Sequence, residues 1–154
     1  MKRYSAKGFT LVEMIIVIAI MAILAAVAAP NFQEYMIQRR LNGSARVIMS
    51  ELMNARMQAV SQNNRVIVSL ESNHSYRVVR DLNNNGVVDG GETGTLVDIH
   101  QDYPDVNFAP GVVGYNPIFN TNGTAVNGSI VLTNTSGNQV NVTITTAGRV
   151  KISS

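Results

Sequence analysis

Residues 9–29 form an almost unbroken apolar run, FTLVEMIIVIAIMAILAAVAA, which constrains the fold more than any other part of the sequence. The run has 21 residues and a single charged side chain, Glu13. About 20 apolar residues in a helix span the hydrocarbon core of a bilayer. A lone carboxylate in such a helix is expensive, and it is therefore a candidate functional group by default. We predict a membrane-spanning helix over 9–29 that carries a functional acidic residue near its start.

The segment before the run is only eight residues long and is basic, with three Lys or Arg side chains. Positive charges before a membrane helix hold that end in the cytoplasm, so the rest of the chain is expected to be translocated. A secretory signal peptide is the alternative, and its cleavage site would fall after the apolar run, among the small residues at 25–29. The length of the run, Glu13 and the Gly8–Phe9 junction favour a retained helix.

The segment Lys-Gly-Phe-Thr-Leu-Val-Glu, residues 7–13, resembles the cleavage and methylation signature of type IV pilins and of the pseudopilins of type II secretion. The resemblance implies that residues 1–8 are a leader, which a prepilin peptidase removes by cutting between Gly8 and Phe9 on the cytoplasmic side. It also implies N-methylation of Phe9 and a filament in which Glu13 pairs with the amine of Phe9 in a neighbouring subunit. The alternative interpretation of Glu13 is a carboxylate that lies near the lipid headgroups.

The net charge of the whole chain, +2, belongs mostly to the leader. Residues 1–8 contain three of the 12 Lys and Arg, so the mature chain has nine against 10 Asp and Glu, a net charge of about −1. This balance gives no general electrostatic basis for nucleic-acid binding. The chain has no Cys, which excludes disulfides and cysteine-ligated metal sites.

Helical periodicity continues beyond the apolar run, over residues 30–63. Six apolar side chains follow three-and-four spacing, the pattern of an amphipathic helix with one packed face. We expect Met49, Met53 and Val60 to widen that face. Pro30 is expected to kink or locally unwind the helix, because proline removes a backbone donor. The six positions of the predicted face are Leu41, Ala45, Ile48, Leu52, Ala55 and Ala59.

After residue 63 the hydrophobic period changes to two, which is typical of β-strands. Residues 101–127 contain several Pro and Gly and are expected to be irregular, apart from a short pairing segment at Val106–Phe108. The predicted fold class is α+β and pilin-like: a long N-terminal helix, membrane-spanning in its first half, packed on an antiparallel β-sheet domain at 64–154. The predicted strands are 65–71, 75–81, 95–100, 129–133, 139–145 and 149–153.

Three patches resemble one branch of the pilin superfamily, the group that contains general secretion pathway protein H and fimbrial protein T. They are residues 54–66 at the predicted helix end, the Gly111 region with SIVLT at 129–133, and residues 147–150. The resemblance implies a structural role, as a minor pseudopilin or minor pilin, and partners that are other subunits of a helical filament.

Residues 81–92, DLNNNGVVDGGE, fit the twelve-residue calcium-loop pattern. A set of oxygen ligands favours calcium over zinc. The loop joins two predicted strands, so we do not expect an EF-hand, and three carboxylates predict modest affinity. A polar hairpin tip without metal is the alternative. The predicted ligands are the side chains of Asp81, Asn83, Asn85, Asp89 and Glu92 and the carbonyl of Val87, with Gly86 at the sharp turn.

The remaining polar residues give little sign of chemistry. His74 and His100 are far apart in the sequence, so we expect them to be isolated from each other, each an ordinary surface or strand residue. The sequence contains no recognisable Ser-His-Asp set, phosphate loop or paired-carboxylate arrangement. We therefore predict that the chain is not an enzyme and that calcium is its one candidate cofactor.

The last candidate is Gly148-Arg149-Val150-Lys151. Minor pilins similar to fimbrial protein T are implicated in DNA uptake through a basic Gly-Arg-x-Arg element near the C-terminus, where this chain has Lys151 as its second cation. Alternation along a strand places Arg149 and Lys151 on one face, where both could contact phosphates. Lys keeps the charge but lacks the bidentate fork of Arg. The alternatives are a DNA-binding minor pilin and an ordinary solvent-facing strand.

The leading hypothesis is a structural subunit of a type II secretion pseudopilus or a type IV pilus. One helix would hold it in the bacterial inner membrane, with its N-terminus in the cytoplasm and its β domain in the periplasm, before it enters the filament. A secreted, non-assembling β-domain is a third hypothesis. The sequence leaves open which machinery is served, whether the subunit is major or minor, and what is transported.

Overall fold

The computed structural model describes residues 8–153, which fall into two compact units that meet between Met36 and Ile37. One long helix, α1 (Leu11–Gln62), contributes to both units. Within the described residues, α1 is followed by strands and one short 3-10 helix, Ile99–Gln101. The strands are β1 (Arg65–Leu70), β2 (Ser75–Asp81), β3 (Leu96–Asp98), β4 (Val106–Phe108), β5 (Ile118–Phe119), β6 (Gly128–Asn134), β7 (Gln139–Ile144) and β8 (Val150–Ser153).

The first unit contains the apolar half of α1, and it has no core of its own. Every residue from 8 to 35 is exposed, although the segment is long and apolar enough to cross a membrane. The helix is continuous through Pro30, so it is not unwound there; a kink at this residue stays a prediction. A side-chain hydrogen bond supports the helix at this point: Asn31 Nδ2 donates to the carbonyl of Val27 at 3.0 Å.

The second half of α1 packs one narrow stripe into the core of the second unit. All six predicted positions of the stripe are buried, and Ser44 joins them. Met49 is partly buried against the core, but Met53 and Val60 are 47% and 51% exposed, so the predicted widening of the face there is wrong. Ala occupies three of its six predicted positions, Ala45, Ala55 and Ala59. The helix ends before Asn63, whose φ of 51° is the left-handed conformation common after a helix.

The strands form two four-stranded antiparallel sheets, ordered β3-β2-β1-β5 and β4-β6-β7-β8. Each predicted strand appears, and β4 forms where a short pairing segment was expected. The strand predicted at 95–100 is shorter, Leu96–Asp98, because Asp98 caps a 3-10 helix that begins at Ile99. The strand β5 was not predicted, because its two residues lie between Pro117 and a Gly-containing turn. The structure thus has two sheets where the sequence indicated only antiparallel pairing, since periodicity alone does not tell which strands are neighbours.

The core lies between the helix stripe and the inner faces of both sheets. Its largest fully buried side chains come from both sheets and include Tyr76, Phe108, Phe119 and Leu132. The chain crosses between sheets three times, after β3, β4 and β5, so the loops at those points carry long-range contacts. One of them is held to the helix by a part-buried ion pair, in which Arg40 contacts both carboxylate oxygens of Asp105 at 2.5 and 3.1 Å.

Candidate functional site

The predicted processing point lies just before α1. Gly8 and Phe9 precede the helix, and Phe9 is 82% exposed. A side chain added at Gly8 would meet nothing within 4 Å. The leader residues 1–7 lie outside the described residues.

Glu13 forms a capping box with Thr10 at the start of α1. The carboxylate oxygen Oε2 accepts hydrogen bonds from the Thr10 N–H and hydroxyl, both at 2.9 Å. In return, Thr10 Oγ1 accepts the Glu13 N–H at 3.2 Å. This reciprocal arrangement satisfies backbone donors that the first turn of a helix otherwise leaves free.

Thr10 is a functional residue that the sequence reasoning missed. The signal was present, because Thr-x-x-Glu before an apolar run is the sequence form of a capping box. Its consequence concerns Glu13: both hydrogen bonds to the carboxylate use Oε2. Within the part of the chain that the structure describes, Oε1 has no recorded hydrogen bond and remains available to a partner.

The loop at 81–92 joins β2 to β3, as predicted, and the carboxylates at its two ends are buried. Asp81 is 0% exposed and Glu92 is 8% exposed. Asp81 accepts the N–H groups of Asn85 at 3.0 Å and of Gly86 at 2.7 Å. Gly86 has a φ of 81°, which glycine adopts without strain, so the sharp turn falls at the predicted position.

The far end of the loop folds back onto its beginning. Glu92 accepts the N–H groups of Leu82 at 2.7 Å and of Asp89 at 3.1 Å. Asp89 Oδ2 in turn accepts the side-chain amides of Asn83 and Asn85 at 2.7 and 2.8 Å. The polar side chains of the loop therefore face one another rather than the core.

The three carboxylates of the loop are not preassembled around one point. Among residues 8–153, the set of three His, Asp or Glu ligand atoms that all lie within 4.8 Å of one another is elsewhere, at His74, Asp98 and His100. Binding of a cation by Asp81, Asp89 and Glu92 would thus require their oxygens to move inward. In this structure the carboxylates accept hydrogen bonds from the N–H groups of the loop itself.

The expectation that His74 and His100 are isolated from each other is wrong. Their rings stack with centroids 4.4 Å apart and an interplanar angle of 16°. Asp98 contacts both residues: its Oδ1 is 3.1 Å from His74 Nδ1 and accepts the His100 backbone N–H at 2.8 Å. That backbone hydrogen bond and the neighbouring imidazoles lower the pKa of Asp98, so the carboxylate is anionic at neutral pH. The pairing of β2 with β3, which sets Ser75 opposite Asp98, brings the residues together.

Gly148, in the Gly148 segment (residues 148–151), packs closely against Arg56 of α1 and the carbonyl of Gly123. Gly148 is buried with a φ of 72°, and a Cβ at this position would collide with the carbonyl oxygen of Gly123. Arg56 of α1 donates from Nε to that same oxygen at 2.8 Å. Arg149 and Lys151 are both exposed, as the alternation predicted.

These features define the class of type IV pilin-like proteins: an N-terminal apolar helix, antiparallel sheets behind it, and a methylation signature. A model of the prokaryotic N-terminal methylation motif matches residues 3–29. A family model for the type II transport protein GspH matches residues 44–148, more than half of the chain. The chain therefore belongs to the GspH family of the type IV pilin and pseudopilin superfamily.

Solved structures agree at the level of the fold. The type IV minor pilin FimU of Pseudomonas aeruginosa PAO1 superposes with a TM-score of 0.55 at 18% identity, covering 74% of this chain and 93% of that chain. A second crystal form of FimU gives a TM-score of 0.56, with coverage of 78% and 92%. The predicted pilin-like fold class is thus confirmed.

Curated relatives match over part of the chain. The fimbrial protein EcpB of Eikenella corrodens is 54% identical over 39 residues, which is 25% of this chain and 24% of that protein. A fimbrial protein of Pseudomonas aeruginosa is 36% identical over 63 residues, 41% of this chain and 40% of its own. The chain thus spans a quarter to two-fifths of the curated relatives it matches. Fimbrial and pilin proteins are structural, which confirms the prediction that the chain is not an enzyme.

The close approach at Gly148 is testable with a matched pair of substitutions. Gly148→Ala and Gly137→Ala both place a Cβ on a left-handed backbone, at φ values of 72° and 81°, but only Gly148 has neighbours within 4 Å. We expect Gly148→Ala to lower the free energy of unfolding by about 1–3 kcal/mol more than Gly137→Ala, the usual cost of overpacking. Urea denaturation of the detergent-solubilised chain measures the difference, and equal losses in the two variants would contradict the packing role.

Proposed function

We propose that the chain is a minor pseudopilin or minor pilin, a structural subunit of a type II secretion pseudopilus or a type IV pilus. The observation that carries this proposal is the apolar first unit, in which every residue from 8 to 35 is exposed. Such a surface needs lipid or the apolar faces of other helices to cover it. The GspH family match and the methylation motif support the same function.

The helix has two environments in this proposal. It first anchors the subunit in the inner membrane, with the basic leader in the cytoplasm and the second unit in the periplasm. Assembly then exchanges lipid for the helices of other subunits. Because lipid tails are as apolar as Ile or Leu side chains, this exchange has little hydrophobic driving force of its own. Polar groups at the helix start are therefore well placed to decide how neighbours align.

Glu13 is the polar group that we assign to alignment. Its Oε2 is held by Thr10, which fixes the carboxylate at the N-terminal turn. After cleavage between Gly8 and Phe9, the amine of Phe9 lies four residues before Glu13, or about 6 Å of helical rise. A neighbouring helix displaced by a similar distance would bring its amine to the level of this carboxylate. The pair would satisfy both charges in an apolar setting and fix the axial register.

We further propose that residues 81–92 bind calcium. The loop has an oxygen-bearing side chain at each ligand position of the calcium pattern except Val87, which would offer its backbone carbonyl, and its end carboxylates, Asp81 and Glu92, are held out of solvent. With three carboxylates and a site that must contract around the ion, the dissociation constant should fall in the range of extracellular modules, about 10⁻⁴–10⁻³ M. Bound calcium would fix the connection between β2 and β3.

DNA binding through Arg149 and Lys151 ranks below the structural role. Two phosphate contacts make a small electrostatic footprint on a mature chain of charge about −1. Of the other arginines in the second unit, Arg40 and Arg77 lie within ion-pair distance of Asp105 and Glu71, and Arg56 and Arg65 donate to the carbonyls of Gly123 and Asn84. The case for DNA binding therefore rests on Arg149 and Lys151 themselves.

Processing between Gly8 and Phe9 is the first test of the proposed function. Mass spectrometry of protein extracted from the membranes of its native host should find a mature chain that begins at N-methyl-Phe9. Gly8→Val should leave the chain unprocessed, because a branched side chain next to the scissile bond hinders the protease. A wild-type chain that begins near Asn31 would contradict the proposal and favour a secretory signal peptide.

Charge pairing by Glu13 can be separated from its capping role. Glu13→Gln keeps an acceptor for Thr10, since Gln also serves in capping boxes, but it removes the charge. We expect normal membrane insertion and at least a tenfold lower incorporation into sheared filaments, which corresponds to about 1.4 kcal/mol. Glu34→Gln, at an exposed carboxylate further along α1, is the matched control and should assemble normally. Assembly of Glu13→Gln at the wild-type level would contradict pairing.

Calcium binding should raise the stability of the folded chain. At tenfold excess over its dissociation constant, a ligand of the native state adds about 1.4 kcal/mol to the free energy of unfolding. Unfolding of the detergent-solubilised chain with calcium or with a chelator measures this. Asp89→Asn removes one exposed ligand and should abolish the effect, whereas Asp102→Asn, outside the loop, should keep it. An identical unfolding midpoint with and without calcium in the wild type would leave the loop a plain turn.

A further inference from the structure

We propose that His74, Asp98 and His100 form a binding site for a divalent transition-metal ion such as Zn²⁺. One ligand atom from each of the three side chains lies within 4.8 Å of the other two. The set combines two imidazoles with a carboxylate, a donor combination that suits zinc and copper rather than calcium. The site is separate from the oxygen-only loop at 81–92, so each site has its own class of ion.

The hydrogen bond of His100 sets the tautomer that a metal needs. His100 Nε2 lies 3.0 Å from the carbonyl of Val106, and a carbonyl only accepts, so this nitrogen carries the proton and Nδ1 has the lone pair. An imidazole that donates its other N–H to a carbonyl is the usual arrangement of a metal ligand. His74 Nδ1 lies 3.1 Å from Asp98 Oδ1, so a metal would bind between these two atoms in place of the proton that they share.

The backbone holds the three residues in place without a metal. Asp98 caps the short 3-10 helix that carries His100, and its Oδ1 accepts the His100 N–H. The next residue, Ile99, donates its N–H to the His74 carbonyl at 2.9 Å. The turn that carries His74 is tied to the other sheet as well, because the Phe108 N–H donates to the Asn73 carbonyl at 2.7 Å. Most of the ordering is thus complete before an ion arrives.

The site is accessible, and it needs only a small contraction. The side chains of His74 and Asp98 are 36% and 38% exposed, so an ion can enter from solvent and retain water ligands. Ligand atoms around a tetrahedral zinc at about 2.1 Å are separated by about 3.3 Å. Atoms that now lie within 4.8 Å must therefore close by about 1.5 Å at most. Rotation of the stacked rings toward a shared centre supplies this movement.

Zinc titration of the full chain in detergent, after dialysis against a chelator, tests the site by isothermal calorimetry. We expect saturable binding of one Zn²⁺ per chain that excess Ca²⁺ does not displace. His74→Gln and His100→Gln should each weaken the affinity at least tenfold, the effect usual for groups that hold a metal ligand in place. Asp89→Asn, in the calcium-type loop, is the matched control and should leave zinc affinity unchanged.

The remaining outcomes each overturn the proposal. They are an absence of saturable zinc binding in the wild type, unchanged affinity in both His variants, and a loss of binding in Asp89→Asn. Circular dichroism and the metal-free unfolding midpoint of each variant identify any loss that comes from misfolding. If a His variant unfolds, the proposal is tested on the wild type alone. Co²⁺ added in place of zinc must then give the visible absorption of a nitrogen-ligated, low-symmetry site.

Discussion

The packing of one narrow helical stripe holds the second unit together. Leu41, Ile48 and Leu52 are buried in the core that both sheets share, together with Ala45, Ala55 and Ala59. Large and small side chains have to stay in this order, because the interior tolerates neither cavities nor added bulk. The packing at Gly148 is equally intolerant of added bulk. There Arg56 of the helix and the carbonyl of Gly123 occupy the space that any side chain at residue 148 would need.

Elements governed by local pattern were predictable from the sequence. The apolar run, the three-and-four stripe and the alternating strands are properties of short segments, so α1 and all strands but β5 follow from periodicity. Contacts set by strand register were not predictable. His74 and His100 are 26 residues apart and meet because β2 pairs with β3. No local sequence pattern predicts which strands pair, or where the chain crosses from one sheet to the other. Thr10 differs from both cases, because its capping signal was local and was overlooked.

The Gly148 segment illustrates how one short motif can serve packing and surface chemistry at once. Its glycine is required by the fold, since it is buried and has neighbours on two sides. Its two cations, Arg149 and Lys151, are exposed to solvent, so the packing of the fold does not require them. The glycine that this segment shares with the Gly-Arg-x-Arg element is therefore explained by packing, without any role in DNA binding. Any inference about DNA has to rest on the two cations, which make a small electrostatic footprint on a mature chain of charge about −1.

The two proposed cation sites lie at the two ends of strand β3. It is an edge strand of three residues, and its apolar side chains, Leu96 and Val97, are 53% and 37% exposed. Burial therefore does little to hold it. The polar contacts at its ends do more: the loop closed by Glu92 precedes it, and the cluster around Asp98 follows it. A short edge held mainly by polar contacts is a weak point of a sheet. On our proposals, calcium bound before β3 and a transition metal bound after it would each stabilise this edge strand, through different ligands.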